Sequence, residues 1–288
     1  MIINGVGYVF IALFALVCFI PFYLVVTASF TDNSALIREG YPLIPKVENL
    51  STMAYQLCLS NPKQILLAYA TTAGVTIVGT TLSVFLSTMT GYALSRKDFV
   101  WRNPIAFYFF FTTLFNGGLV PSYILCTKYL HLRNNYLALI LPSLFSVFNM
   151  IISKAFMSDI PSAITDSAKI DGAGDFKIYR KLILPLSKPL VATLVLFSAL
   201  GFWNDWYNCM LYIDNKNMFN LQYMLQNMLN SMQSMQEMFE QSGLPMTNLP
   251  LQTTKMAMTV IATGPIILLY PFVQKYFVKG LTVGAVKG

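Results

Sequence analysis

Six long apolar runs constrain what this sequence of 288 residues can fold into more than any other feature. The hydrocarbon core of a bilayer is about 30 Å thick, so a helix needs about 20 mostly apolar residues to cross it. Only 11% of the residues are charged, whereas an ordinary soluble domain carries about 25%. The sequence therefore predicts an all-α integral membrane protein, one domain over residues 1–288, with six transmembrane helices near residues 6–28, 65–90, 104–127, 136–157, 189–213 and 256–278.

The basic residues between these runs are distributed unevenly across the predicted membrane. Most of the 19 Lys and Arg residues lie in loops 91–103 and 154–188 and in the C-terminal tail, which share one side. Because loops rich in Lys and Arg stay in the cytoplasm, we expect both termini and the 154–188 loop inside. The loops at 31–64 and 214–255 then face outward. Basic residues spread between membrane spans give no reason to expect a nucleic-acid partner, despite the net charge of +7.

Residues 158–188 form a polar, charged segment between two of the apolar runs. Its pattern predicts two short helices, at 163–170 and 176–184. Gly172 and Gly174 favour a sharp turn between them, since glycine tolerates backbone angles that other residues avoid.

Polar residues and prolines predict where these two helices begin and end. Asp159 or Ser162 is expected to cap the first helix, and Asp175 the second. Pro185 is expected to end the second helix, because proline lacks the N–H that a helix interior needs.

The turn between the two helices presents apolar residues with charges around them. This composition is typical of a small docking surface for a soluble partner, with an apolar centre and a polar rim. A solvated connector resting on lipid headgroups is the alternative, and the residue pattern leaves both open. The expected centre is Ala168, Ile170, Ala173 and Phe176, and the expected rim is Asp166, Lys169, Asp171 and Lys177.

The same segment resembles the Glu-Ala-Ala loop of ABC importer permeases. Asp166-Ser167-Ala168 stands at the Glu-Ala-Ala position, Gly172 at the glycine position, and Ile183-Leu184-Pro185 closes the motif. Asp replaces Glu and Ser replaces the first Ala, so the carboxylate is kept on a shorter side chain. The resemblance implies that residues 158–188 are a coupling loop, seated in a cleft of a cytoplasmic ATPase, and that the residues transmitting ATPase closure are Asp166, Ser167, Ala168, Ile170, Asp171, Gly172, Ala173, Gly174, Phe176 and Pro185.

Two further stretches and the tail extend the resemblance over nearly the whole chain. "GYALSRKDFVWRN" at 91–103 resembles the junction of the second and third spans in maltose-type carbohydrate importer permeases. "LFNGGLVPSYIL" at 114–125 and the tail at 270–288 are similar to the branch associated with oligosaccharides and polysaccharide fragments.

The resemblance implies a permease subunit of an ATP-driven importer in a bacterial plasma (inner) membrane. Its implied partners are a second homologous permease, two ATPase subunits that bind the ATP and Mg, an outer solute-binding protein and membrane lipid. A permease for another small polar solute is the alternative within the family.

The fifth apolar run carries "GFWNDWYN" at 201–208, a costly set of polar groups for a membrane span. Trp203, Asn204, Asp205, Trp206 and Tyr207 combine aromatic faces with hydrogen-bonding groups, which suits a sugar. On a continuous helix, Trp203 would share a face with Trp206 or Tyr207 while Asp205 points elsewhere. A sugar pathway, an interfacial aromatic belt and helix packing all remain open.

Asn116 and Gly117 interrupt the third run, and Pro121 follows. Small residues and a proline permit close helix approach or a bend. A bend that lines the pathway and simple tight packing are both consistent with this pattern.

The outer loop at 214–255 contains an apolar stripe at helical spacing, opposite a face of Asn, Gln and Ser. It predicts an amphipathic helix near 218–240 that packs on its own spans or faces the solute-binding protein. The stripe consists of Leu221, Leu225, Met228, Met232, Met235 and Phe239.

No sequence of the form GxxxxGK[ST] is present, so we expect no ATPase site in this chain. His131 has no partner at metal-ligand spacing, and the four cysteines form no CxxC pair, so no metal or cofactor is expected. A membrane enzyme would need clustered acids or metal ligands near Asp205, and a transporter working alone would need buried charged relays. The sequence favours a transport subunit over both.

Overall fold

A computed structural model describes residues 2–242 and 250–267 of the chain. Helices make up almost all of the regular structure in that part, and one isolated bridge pairs Thr31 with Leu50. In chain order the α-helices are α1 Ile2–Ser29, α2 Asn33–Glu39, α3 Met53–Cys58, α4 Pro62–Ser95, α5 Arg102–Leu114, α6 Leu119–Ile124, α7 Leu137–Ile140, α8 Val147–Ser158, α9 Ser162–Ile170, α10 Asp175–Ile178, α11 Leu184–Leu186, α12 Lys188–Trp203, α13 Tyr207–Tyr212, α14 Leu221–Ser242 and α15 Leu251–Ile267.

Short turns of other helix types extend several of these elements. A π turn, Leu125–Tyr129, follows α6, and a 3₁₀ turn, Leu141–Ser143, follows α7. A second π turn, Tyr179–Ile183, joins α10 to α11, so that Asp175–Leu186 runs as one rod.

Two helices of the described residues are long and apolar enough to cross a membrane alone, at Gly7–Ser29 and Pro62–Ser95. Three more candidates are bent pairs: Arg102–Leu114 with Leu119–Tyr129 at 110°, Leu137–Ser143 with Val147–Ser158 at 52°, and Asp175–Leu186 with Lys188–Trp203 at 85°. The expected sixth span at 256–278 begins in α15 and continues outside the described residues, as does the tail at 270–288. Six spans therefore remain a prediction.

The chain divides into two compact units. The single permease domain over residues 1–288 stays a prediction. The first unit comprises residues 2–66, 224–242 and 250–267. In it α15 packs against α1, α2 and α3. Asn33 caps α15, since its side-chain oxygen accepts hydrogen bonds from the backbone N–H of Gln252 at 3.1 Å and Thr253 at 3.4 Å. The apolar stretch of α1 within Gly7–Ser29 is not buried by the rest of the protein, which suits a lipid environment.

The second unit comprises residues 67–223 and contains the 158–188 segment, the "GFWNDWYN" stretch and the bend at Asn116 and Gly117. Its core joins α4, α8, α9, the Asp175–Leu186 rod and α12. Helices α4 and α8 touch closely at Gly91, where an added Cβ would lie 2.4 Å from the Cβ of Ser153. This core holds the coupling loop against the spans.

Candidate functional site

The coupling loop folds into two helices joined by a glycine turn, which confirms the predicted pair. Gly172 has φ of +74°, a left-handed conformation that favours glycine. The Gly172 N–H donates to the Lys169 carbonyl at 3.0 Å, and the Ala173 N–H donates to the Ala168 carbonyl at 2.9 Å. These two bonds form a Schellman motif, which satisfies the last carbonyls of α9.

The predicted helix caps are wrong. Pro161 precedes α9 and Gly174 precedes α10, and neither helix has a side-chain cap. Ser162 and Asp175 are instead the first helical residues. Pro185 does not end its helix either, because the rod continues to Leu186 before the chain bends at Ser187.

Most of the predicted coupling residues face outward, and Ala173 is half-buried. Ile170 and Phe176 are 87% and 58% exposed, so two large apolar side chains stand at the tip. The other exposed members are Asp166, Ser167, Asp171, Gly172, Gly174 and Pro185.

The prediction that Ala168 belongs to the exposed centre of the docking surface is wrong, because its side chain is buried. It lies three residues after Thr165, which is also buried, so the two share the inner face of α9. Ala168 packs in the same core as Ile178, Tyr179 and Ile183. The sequence prediction assigned Ala168 to the surface because it is close to the turn in the chain, without regard to which face of α9 it occupies.

An ion-pair cluster joins this loop to the end of α4. Arg96 donates two hydrogen bonds to the Asp98 carboxylate, at 2.9 and 2.7 Å, and Lys169 contacts the same carboxylate at 2.5 Å. The Arg96 guanidinium, followed by the Lys169 ammonium, holds the pKa of the Asp98 carboxyl below its usual value. Asp98 raises the pKa of Lys169 in turn. Asp98 therefore ties α9 to the loop that follows α4.

A hydroxyl pair and ring contacts connect the rod to the same helix. The Tyr179 and Thr88 hydroxyls lie 2.9 Å apart. The ring of Tyr179 lies 5.7 Å from that of Tyr92 and 6.1 Å from that of Phe176, measured between centroids. Packed side chains therefore connect Phe176 at the tip to α4.

The "GFWNDWYN" stretch is not one continuous helix, which corrects the expected helix faces. Helix α12 ends at Trp203 and α13 begins at Tyr207. Trp203 is buried, whereas Trp206 and Tyr207 are each 42% exposed and meet edge to face at 5.8 Å. The break therefore separates Trp203 from the other two aromatic residues.

Hydrogen bonds of polar side chains hold this break open. The Asp205 carboxylate accepts from the backbone N–H and the side-chain amide of Asn208, at 3.1 and 2.7 Å. The Asn220 side chain donates to the Asp205 carbonyl, and Gln222 donates to the Asn204 side chain at 3.1 Å. Asn204 is exposed and Asp205 is half-buried.

The third run is broken as well, by an exposed bend rather than a tightly packed contact. The Asn116 side-chain oxygen accepts from the Gly118 N–H at 2.9 Å, and Gly118 has φ of +89°. Asn116 and Gly117 are exposed, and a Cβ added to Gly117 would meet nothing within 4 Å.

Sequence reasoning missed a polar cleft of about 480 Å³ between α4, α8 and α12. The Asn149 amide donates to the Ser198 hydroxyl at 3.2 Å, and that hydroxyl donates to the Ser83 hydroxyl at 3.4 Å. All three residues are buried. Phe148 and Asp205 also line this cleft.

A periodic pattern in α4 would have indicated the polar helix face to which Ser83 belongs, but not the cleft itself. Threonine and serine recur in α4 at the spacing of one helix face, and these residues are buried in the structure. In a membrane helix such a polar stripe marks the side turned toward protein or water. The stripe consists of Thr72, Thr76, Thr80, Ser83 and Ser87.

The amphipathic helix predicted near 218–240 is α14, Leu221–Ser242. Leu221, Leu225 and Met232 are buried, as expected for packing on the protein. Met235 is 47% exposed, so the stripe is covered only along its first part. Met228 and Phe239 are half-buried.

Residues 1–283 match the family described as "Binding-protein-dependent transport system inner membrane component". The chain is 41% identical over 283 residues to the polygalacturonan/rhamnogalacturonan transport system permease protein YtcP of Bacillus subtilis (strain 168), covering 98% of this chain and 96% of that protein. It is 35% identical to Protein LplC of the same strain, covering 100% of this chain and 93% of that one.

A solved structure agrees with these relatives. A bacterial ABC transporter involved in the import of the acidic polysaccharide alginate matches with a TM-score of 0.78 and 26% identity, over 96% of each chain. The chain therefore belongs to the family of inner-membrane components of binding-protein-dependent transport systems, as an ABC transporter permease and thus a transport subunit rather than an enzyme.

Proposed function

We propose that this chain is one permease half of an ATP-driven importer for an oligosaccharide, and that residues 166–176 couple ATPase closure to the opening of the spans. The observation that carries the coupling role is the contrast within the loop. Ile170 and Phe176 project from the surface, whereas Ala168 and Ile178 beneath them are buried in the core of the spans.

In this arrangement a displacement applied to the exposed tip would move the helices packed beneath it. Close-packed interiors transmit displacement because they compress little. A push on Ile170 or Phe176 would reach α4, α8 and α12 through the shared core, and the Asp98–Lys169 contact would keep α9 in register. Asp166 is exposed near the tip, where its carboxylate is available to a basic residue of the ATPase.

The carbohydrate assignment rests on what the relatives are named for. YtcP is named for polygalacturonan and rhamnogalacturonan, and a permease 29% identical to this chain, AraQ of Halalkalibacterium halodurans, is named for arabinooligosaccharides. We extend this chemical class, an oligosaccharide or polysaccharide fragment, to the present chain. Asn116, Gly117 and the broken span at Trp203, Asn204, Asp205, Trp206 and Tyr207 are its proposed pathway residues.

The proposed assembly contains this chain, a second homologous permease, two ATPase subunits that bind ATP and Mg, and an outer solute-binding protein. Both termini and the coupling loop lie in the cytoplasm in this proposal, as the distribution of basic residues favours.

Substitution of Ile170 tests the coupling role without disturbing the fold, because its side chain is 87% exposed. In the importer reconstituted in liposomes, we expect Ile170→Ser to reduce ATPase association and ATP-dependent saccharide uptake by about tenfold or more, as for an interface hot spot. The matched control is Val47→Ser in the outer loop, a side chain that is 86% exposed. Normal ATPase binding and uptake in Ile170→Ser would refute the coupling proposal.

A further inference from the structure

We propose that the polar cleft between α4, α8 and α12 is a binding subsite of this chain for a neutral sugar ring. The proposal rests on the carbohydrate import proposed above and adds a site to it. The cleft, of about 480 Å³, falls within the range of small-molecule sites, about 300–1,000 Å³.

Three buried polar side chains form the floor of the cleft. The Asn149 amide, the Ser198 hydroxyl and the Ser83 hydroxyl form one hydrogen-bonded chain across α8, α12 and α4. The Ser146 hydroxyl also lines the cleft and accepts from the Asn149 N–H at 3.3 Å, which orients the start of α8. Such groups are costly in a membrane protein unless they face one another or a polar cargo. Here they bond to one another and line the cleft, where a polar cargo could reach them.

Two aromatic rings stand beside these polar groups. Phe148 and Phe197 line the cleft, are 63% and 43% exposed, and lie 6.3 Å apart between centroids. A sugar ring has apolar C–H faces and a rim of hydroxyls. Exposed phenyl faces next to hydroxyl and amide groups match both halves of that chemistry.

The charge of the residues that line the cleft favours neutral sugars over sugars that carry a carboxylate. Asp205 is the ionisable residue among the described residues of the cleft, and its charge when ionised is negative. A sugar that carries a carboxylate would meet a like charge there without a compensating cation, whereas a neutral hydroxyl can donate to a carboxylate. The geometry therefore favours a neutral ring over a uronate at this position.

The first experiment measures protection of a cysteine in the cleft. Ser143 lines the cleft and is exposed. In the complete importer carrying Cys18→Ser, we expect Ser143→Cys to react with a sulfonated thiol reagent at least fivefold more slowly when a neutral arabino-oligosaccharide is present with its loaded binding protein. The control Ser60→Cys, an exposed serine outside this cleft and outside the coupling loop, should react at an unchanged rate.

The second experiment removes one aromatic face. We expect Phe148→Leu to lower saccharide uptake about fivefold at saturating binding protein, while ATP hydrolysis stimulated by the binding protein stays unchanged. Phe107→Leu is the matched control, because Phe107 is 67% exposed on α5. A larger loss of uptake in Phe148→Leu than in Phe107→Leu would be due to loss of the aromatic ring in the cleft, not to replacement of an exposed phenylalanine in general.

The outcomes separate this inference from the proposed function. Absence of saccharide uptake by the wild-type importer, for neutral and uronate oligosaccharides alike, would overturn carbohydrate import and the subsite with it. Normal wild-type uptake with no protection of Ser143→Cys, or with Phe148→Leu equal to Phe107→Leu, would overturn the subsite alone and assign the cleft to contact with another subunit. Protection by oligogalacturonate but not by the neutral oligosaccharide would overturn the neutral-ring specificity.

Discussion

The turns at Gly172 and Gly118 both place a glycine at a positive φ, and they differ in what surrounds that glycine. Their φ angles are +74° and +89°, and an added Cβ would meet nothing within 4 Å at either position. Both turns connect two helices of the same unit. A positive φ and open space around the glycine therefore do not distinguish them.

The helices on either side of the two glycines do distinguish them. Around Gly172, Ala168 in α9 and Ile178 in α10 are buried in a shared core. Around Gly118, neither α5 nor α6 contains a buried residue. One turn is anchored within the chain, and the other leaves its helices available to lipid or to another subunit.

This difference supports the coupling role proposed for the Gly172 turn. A turn can transmit a displacement only when the helices beside it are fixed to the rest of the protein. The helices beside Gly172 are fixed by the shared core and by the Lys169–Asp98 contact. The Gly118 turn is held by local hydrogen bonds, from its own N–H to Asn116 and from the Ser122 hydroxyl to its carbonyl. We therefore assign coupling to Gly172 and a more adaptable membrane surface to Gly118.

Gly172→Pro has the largest expected effect. Proline requires φ near −65° and has no N–H, so the variant loses both the left-handed turn and the bond to Lys169. We expect the detergent-purified complex to lose its ATPase subunits and saccharide uptake to fall more than tenfold. The measurement is co-purification followed by uptake in liposomes.

The control for this substitution is Gly40→Pro. Gly40 has φ of +80° and donates to the Leu36 carbonyl at 3.0 Å, so the same backbone damage is done at the end of α2. Both variants should lower thermal stability, but only Gly172→Pro should release the ATPase. Equal loss of ATPase in both would assign the effect to general misfolding.

Asp98→Asn has a smaller expected effect, since exposed ion pairs contribute about 1 kcal/mol or less. Removal of the charge weakens the contacts with Arg96 and Lys169, and we expect uptake to fall about threefold. The lowered pKa of Asp98 means that its contribution is present above the usual Asp pKa and is lost as pH falls through the lowered value. Titration of Asp98 should accordingly cause no pH dependence of wild-type uptake between about pH 5 and 8.

Asp214→Asn is the matched control for Asp98. Asp214 pairs with Arg133 at 2.7 Å and is similarly exposed, but it lies in a loop away from the coupling loop. Uptake should be unchanged in this variant. A matching threefold loss in both variants would show that the Asp98 cluster has no special role in coupling.

Local signals explain why much of the coupling loop was predictable. Glycine at 172 and 174 and proline at 161 determine where helices stop and start over a few residues, and the structure has its helices there. The burial of Ala168 was not predictable in this way, because it depends on which face of α9 meets the core. That face is decided by residues of other helices.

The broken fifth span was missed for a related reason. Residues 204–206 contain neither glycine nor proline, and apolar residues lie on both sides. The break depends on Asn208 and Asn220, which bind Asp205 from later in the chain. The polar cleft likewise brings together Ser83, Asn149 and Ser198 from three helices, a proximity that sequence spacing does not reveal.

Asp205→Ala tests whether the break between α12 and α13 is needed for saccharide uptake. The substitution removes both bonds to Asn208 at the start of α13, a loss of about 1 kcal/mol for a helix cap. We expect a lower thermal stability in detergent and an uptake reduced about twofold to threefold. Asp32→Ala removes the equivalent bonds to Ser34 and Ala35 in α2 and should lower stability without changing uptake. Unchanged uptake in Asp205→Ala would exclude the break from the pathway.

Gly118→Ala has the smallest expected effect and tests the comparison most directly. At φ of +89° and ψ of 176° an alanine is strained by about 1–3 kcal/mol, yet no neighbouring atom is crowded. We expect a loss of thermal stability, uptake within twofold of wild type, and full retention of the ATPase. Gly172→Ala also strains the backbone at a positive φ, but there the strain is applied between two anchored helices, so its effect on uptake should exceed that of Gly118→Ala. Equal effects on uptake at the two glycines would show that anchoring does not decide which turn transmits force.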